Sequence, residues 1–451
     1  MKRDEIMLKR TADWHLKEWK EDKNRKPLLI RGARQVGKTH AVRRLGEQFE
    51  NLVEINFELA QDARPIFEKD LHPERILRDL SFYTDQKIEP GKTLLFFDEI
   101  QEVPKAILAL RYFFEMMPSL HVIAAGSLFD FALEAVGFPV GRVSSLYMYP
   151  LSFMEFLAAS GRAALLEAIL QREVFSETIH LKLIDLVGEY LAIGGMPEAV
   201  AKWIESKNPK ECFQVHHNLI ASYRQDFEKY ASKHDIKYVE ALFRQIPHFI
   251  GEQFQYKNIH GEYRKRELAP CLDLLVKANV IHKIHHSAGN GIPLGAEMNL
   301  EWFKIIFVDI ALSQAVLGFD LSTWFLEPGI EFVNRGMVAE AFVGQELLAY
   351  AHPLRDPDLF FWRRAVKGSN AEVDYLHRKD REIIPIEVKG GHTGSLKSLH
   401  LFLAEHAKSP YGIRFSAQNY SLFEKIDSRP LYAVASLAHE DQMAALESLL
   451  Y

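Results

Sequence analysis

Leu28-Leu29-Ile30-Arg31-Gly32-Ala33-Arg34-Gln35-Val36-Gly37-Lys38-Thr39 decides the fold of the first third of the chain. An apolar run of strand length leads into the pattern G-x-x-x-x-G-K-T, and residues 38–49 then carry apolar side chains at helical spacing. A strand, a glycine turn and a helix in this order let successive backbone N–H groups curl round phosphate oxygens at the positive end of a helix. The spacing assigns Gly32, Ala33, Arg34, Gln35, Val36, Gly37, Lys38 and Thr39 to a phosphate-binding loop for ATP. Lys38 is expected to neutralise the β- and γ-phosphates, and the Thr39 hydroxyl to ligate Mg²⁺.

Further along, Leu94-Leu95-Phe96-Phe97-Asp98-Glu99 is an apolar strand ending in two acids. Beside such a loop, Asp98 would hold Mg²⁺ through water and Glu99 would polarise the attacking water. The apolar run His121–Ala125 ends in Gly126-Ser127. Ligands of open α/β sheets sit at the carboxyl ends of strands, which makes Ser127 a candidate γ-phosphate sensor; a plain turn serine is the alternative. Strands expected at Leu28–Arg31, 52–57, 93–97 and His121–Ala125 alternate with helical stretches, the signature of a parallel α/β sheet.

The chain has 451 residues, 48% hydrophobic and 26% charged, and a net charge of −6. That length calls for two or three domains, and that composition is ordinary for a globular protein. Its apolar runs are far shorter than the ~18 residues of a membrane span, so no membrane association is expected. The start, MKRDEIMLKR, lacks a secretory apolar core, and two distant cysteines, Cys212 and Cys271, give no disulfide framework. A cytoplasmic location is expected on both counts. The acidic net charge neither favours nor excludes nucleic acid, because local patches decide.

The motifs RGARQVGKT, LLFFDEIQEVP, AAGSL and GRVSSLYMYPLSFMEFL, in this order, resemble a large family of prokaryotic AAA-type ATPases with a second, C-terminal domain. Pro150-Leu151-Ser152-Phe153-x-Glu155-Phe156 and Gly194-Gly195-Met196-Pro197-Glu198 are hallmarks of that resemblance, which extends over essentially the whole chain. It implies an ATPase domain with a helical lid over residues 1–205. It also implies that Arg142 is an arginine finger or sensor, which in trans requires a homo-oligomer. A surface ion pair is the competing reading of Arg142.

From 239 to 317 the pattern reads as helices followed by a ribbon at 280–285 and 302–308, the order of a winged helix-turn-helix. A winged-helix domain over 206–325 is expected. Arg264-Lys265-Arg266 would begin its third helix, and His282, Lys283, His285 and His286 would lie on its wing, where basic residues suit phosphate contacts. A solvated basic face or a protein-binding module is the alternative.

The remainder, 326–451, holds a second constellation. In Ile383-Ile384-Pro385-Ile386-Glu387-Val388-Lys389, alternation puts Glu387 and Lys389 on one face, and a hairpin brings Asp374 near them. Glu340, at the start of a helix in Gly336–Phe342, can add a carboxylate. Asp374 and Glu387 would bind Mg²⁺, and Lys389 would orient or deprotonate water. The arrangement resembles the PD-(D/E)xK nuclease superfamily, departing from it in having Val373 rather than proline before Asp374. That resemblance implies a restriction-endonuclease-like α/β domain and a DNA substrate, a Holliday junction or other branched form being the structure it points to. A cross-strand surface salt bridge is the plain alternative. Trp362-Arg363-Arg364, Lys367, Lys397 and His400 would line the DNA path, or merely guard an edge strand.

The function expected is thus an ATPase coupled to a Mg²⁺-dependent DNA endonuclease. The alternative is an ATP-dependent DNA- or protein-binding switch without nuclease activity, or a component that binds protein only.

Overall fold

A computed structural model of the chain describes residues 8–127, 137, 139, 141–318, 336–366, 368–390 and 395–451. The first sheet is fully parallel, in the order β2-β3-β4-β1-β5. Its strands are β1 (Leu28–Arg31), β2 (Asn51–Asn56), β3 (Thr93–Asp98), β4 (His121–Ala125) and β5 (Ser144–Tyr147). β3 and β4 are buried along their whole length, which is why they read in sequence as unbroken apolar runs rather than as alternation. The helix after the glycine turn, Lys38–Gly46, stops one turn earlier than its periodicity predicts.

A helical region follows, from Phe153–Ala159 to the 22-residue helix Pro209–Tyr230. Its two hallmark motifs meet each other: Leu151 N donates to Gly195 O (2.6 Å), and the Tyr190 hydroxyl to Leu151 O (2.6 Å).

The second sheet has eight strands in the order β12-β13-β11-β10-β9-β8-β6-β7. They are β6 (Ile281–Ser287), β7 (Met298–Phe307), β8 (Leu359–Arg363), β9 (Glu372–Lys379), β10 (Glu382–Lys389), β11 (Gly412–Ser416), β12 (Ser421–Phe423) and β13 (Ile426–Pro430). The expected ribbon forms as the antiparallel pair β6–β7, but it is no free-standing wing. β6 pairs in parallel with β8, so one hydrogen-bonded sheet runs across the boundary expected at residue 325. Between the helices Ile236–Gln245 and Lys265–Lys277 the chain makes short 3₁₀ turns instead of a full helix; Pro247 and the positive φ of Gly251 and Gly261 interrupt the period.

The wing histidines are also not a basic surface. His282 is packed against Tyr149, and burial pushes it down to about 4. His286 is buried between Trp302 and Phe361 and bonds Arg363 O; His285 packs on Phe303; Lys283 pairs with Asp273. Neutral rings wedged among aromatics stabilise the sheet and offer no charge to a phosphate.

The long helix Gly336–Ala349 lies on the second sheet and ties it to the helical region. Glu346 accepts from Phe153 N (3.0 Å), and Gln345 donates to the Tyr190 hydroxyl (2.8 Å). Gly344 permits the close approach: a Cβ there would fall 2.4 Å from the Tyr375 hydroxyl on β9. Among the described residues no helix is long and apolar enough to cross a membrane.

Candidate functional sites

The glycine turn after β1 needs backbone that most residues avoid. Gly32 and Gly37 have φ of 146° and 98°, and a Cβ on Gly32 would meet Met148 O at 2.1 Å. Lys38 is buried at the head of its helix and donates to Gly32 O (2.9 Å) and Ala33 O (2.8 Å). Burial lowers its ammonium to about 8, with Glu99 and Asp98 acting in the opposite direction. The Thr39 hydroxyl donates to Asp98 Oδ2 (3.0 Å), and Asn56 holds the same oxygen at 3.2 Å. Burial, then the Glu99 carboxylate, raise Asp98 above the usual carboxylate range.

These groups face a cavity of about 1100 Å³. Arg34, Gln35, Gly37, Lys38, Thr39, Glu99 and Ser127 all line it, as do Pro197 and Glu198 from the helix Pro197–Ser206. The Ser127 hydroxyl is buried without a hydrogen-bond partner, so the wall of the cavity holds an unsatisfied polar group. Gln101 donates to Glu99 Oε2 (2.6 Å). Arg142 is elsewhere: it is half-exposed, pairs with Glu115 at 3.1 Å and is not among the residues lining this cavity.

Two supports escaped the sequence reading. Arg10 donates to Val36 O (2.8 Å), Tyr149 O (2.7 Å) and Glu155 Oε1 (3.1 Å), and so braces the phosphate loop from behind. Arg34 pairs with Asp226 on the helix Pro209–Tyr230 at 2.7 Å. Arg10's partners are mostly backbone oxygens, which carry no side-chain signature; Glu155, in a hallmark motif, was the one available hint.

At the second site, the antiparallel β9–β10 register opposes Tyr375 to Ile386 and leads Asp374 and Glu387 onto one face. Asp374 Oδ2 accepts from Val388 N (2.7 Å), and Lys389 Nζ donates to Glu387 Oε1 (2.5 Å). Glu387 Oε2 is buried with no partner. Glu340 reaches the same place from the helix above, where Tyr375 anchors its backbone oxygen at 2.8 Å.

Sequence reading missed two members, Lys304 on β7 and Glu372 on β9. Lys304 Nζ lies 2.5 Å from Glu372, 2.8 Å from Glu340 and 3.7 Å from Asp374. Burial raises Glu340 to about 8, against the pull of Lys304; burial and Asp374 raise Glu387 to about 7. The expected DNA-lining residues fare differently. Trp362 is buried against Phe402 and His406, Arg363 bonds Gln253 and Arg364 bonds Glu405, while Lys397 and His400 are exposed. Trp362 is therefore core, with no face free to stack on a nucleotide. Lys367 lies outside the described residues.

The AAA domain family matches residues 24–157. Two domains of unknown function, DUF8612 and DUF4143, match residues 184–323 and 335–433. No curated protein matches the chain. Among solved structures, a Walker-type ATPase of Pyrococcus abyssi is 16% identical, over 70% of this chain and 97% of that one, with a TM-score of 0.44. The Aeropyrum pernix ORC1 protein, solved in complex with DNA, is 10% identical over 71% and 95%, with a TM-score of 0.28. Thermotoga maritima RuvB is 13% identical over 61% and 88%, also at 0.28.

Proposed function

We propose that this P-loop ATPase of the AAA type uses its nucleotide site to govern Mg²⁺-dependent cleavage of DNA, branched DNA in particular, at the second site. The observation that carries the reading is the convergence of Glu340, Asp374, Glu387 and Lys389 from a helix and two strands, with one buried carboxylate oxygen of Glu387 left unpaired. A buried carboxylate oxygen without a partner costs free energy until a cation or a hydrogen-bond donor completes it. The order of elements supports the same reading: helix Gly336–Ala349, antiparallel β8, β9 and β10, helix Lys397–Glu405, then β11 parallel to β10, as in a restriction-endonuclease-like domain.

At the first site, the loop Gly32–Thr39 cradles the phosphates, Thr39 and Asp98 hold Mg²⁺, Glu99 polarises water, and Ser127 turns its free hydroxyl to the γ-phosphate. Arg142, which does not line that cavity, acts on a neighbouring copy in a homo-oligomer. At the second site Asp374 and Glu387 hold Mg²⁺, which supplies charge stabilisation at the scissile phosphate. Lys389, hydrogen-bonded to Glu387, orients the attacking water.

The test is incubation of the full chain with branched and linear DNA and Mg²⁺, with and without ATP. Cleavage should occur and be lost in Asp374→Asn, and it should lose its ATP response in Lys38→Ala. Intact DNA under every condition, or equal cutting by Asp374→Asn, rejects the reading.

A further inference from the structure

Lys304 is the one feature of the second site that a hairpin of carboxylates does not by itself call for. Its ammonium is fully buried, contributed by β7 at the far end of the sheet, and it bonds carboxylates from two other elements. Glu340 comes down from the helix and Glu372 up from β9, with Asp374 just beyond hydrogen-bond reach at 3.7 Å. The ring of Phe361 closes the other side, 5.3 Å from Nζ. A buried ammonium is costly unless paired, and here the pairing is what holds Glu340 and Glu372 in place.

The two ammonium groups share the carboxylates unequally. Lys304 holds Glu340 and Glu372 and lies 3.7 Å from Asp374, whereas Lys389 pairs with Glu387. A divalent cation needs a carboxylate oxygen that these two ammonium groups leave free. The acceptor waiting for it lies on the Glu387 side: Glu387 is only 5% exposed and its Oε2 has no partner. Glu340, by contrast, already has its cation. Among the described residues, the three-ligand group compact enough to chelate a metal unaided is the separate trio His352, His439 and Asp441, not these carboxylates.

Resting on the nuclease reading, we propose that Lys304 occupies the place of a second divalent cation, so that this centre takes one metal ion, on Asp374 and Glu387, where related chemistry often uses two. Lys304 is then a positioning residue. It fixes Glu340 and Glu372 with a permanent charge and leaves the metal stoichiometry at one.

Counting bound Mn²⁺ tests this directly, by calorimetry and low-temperature electron paramagnetic resonance on the nucleotide-free full chain. Any ion at Thr39 and Asp98 is common to all variants and cancels in the difference from Asp374→Asn. The wild type should bind one Mn²⁺ more than Asp374→Asn, Lys304→Arg also one, and Lys304→Met two. Spin-coupled Mn²⁺ pairs should appear in Lys304→Met alone. Two ions in the wild type, or one in a Lys304→Met protein with an unchanged melting transition, overturns the proposal and leaves the nuclease reading standing. No ion lost on Asp374→Asn sinks both. If Lys304→Met does not fold, the wild-type spectrum decides: isolated Mn²⁺ supports the proposal, and coupled pairs reject it.

Discussion

Glu99 stands one residue past β3 with its backbone at φ 50°, the left-handed region that a glutamate avoids. Such a conformation costs roughly 1–3 kcal/mol and persists only where the surroundings impose it. Here it turns the carboxylate into the nucleotide cavity, where Gln101 holds it. Glu99→Gln should keep ATP binding and lower hydrolysis by about 10²-fold or more, read from phosphate release beside nucleotide titration. Equal turnover would remove Glu99 from the reaction. Asp309 poses a different question at the same scale. It is buried, accepts from Gly195 N (2.7 Å) and Leu312 N (2.9 Å), and burial raises it from 3.8 to about 6. Between those values the folded protein keeps a proton that the unfolded chain has released, so this residue's contribution to stability declines as pH rises from about 4 to 6. Asp309→Asn cannot lose that proton. Its stability relative to wild type should grow by up to about 3 kcal/mol between pH 4 and 7 in urea unfolding, and a pH-independent difference would contradict the assignment.

At the scale of elements, Gly344→Ala is the sharpest probe. The added methyl would press on the Tyr375 hydroxyl, lift the helix Gly336–Ala349 and withdraw Glu340 from the second site. A loss of about 1–3 kcal/mol is expected, seen as a lower melting temperature with ATP affinity unchanged. The elements were unequally legible in the sequence. The parallel strands showed because burial on both faces makes them apolar runs, and the phosphate loop showed because its glycines and lysine have a fixed spacing. Glu387 and Asp374 came together as alternation and the hairpin required, and Glu340 joins them from the helix Gly336–Ala349. Lys304 did not show, because it reaches Glu372 from a strand separated from β9 by β6 and β8. The histidines of β6 misled for a related reason: in sequence they count as basic, whereas in the sheet burial disfavours their charged form.

The whole molecule is more continuous than a division at 205 and 325 implies. β6 and β7 complete a sheet whose other strands follow residue 358, and Glu346 and Gln345 bond into the helical region. A fragment of residues 326–451 would lose two strands and the counter-ion of Glu340 and Glu372. It should show no cooperative unfolding transition and rapid proteolysis, while the full chain resists; a fragment that melts as sharply as the full chain would show the boundary to be real.

Asp309 lies five positions beyond Lys304, about 16 Å of extended chain. Asp309 holds the amide of Gly195, and two residues on Pro197 packs beside Gly37 of the phosphate loop. The strand that carries Lys304 is also the outermost of its sheet, with β6 as its one strand neighbour and a lone bridge to Gln253 on the other side. β7 and the two residues after it therefore join the acidic centre, through Lys304, to the turn beside the phosphate loop, through Asp309.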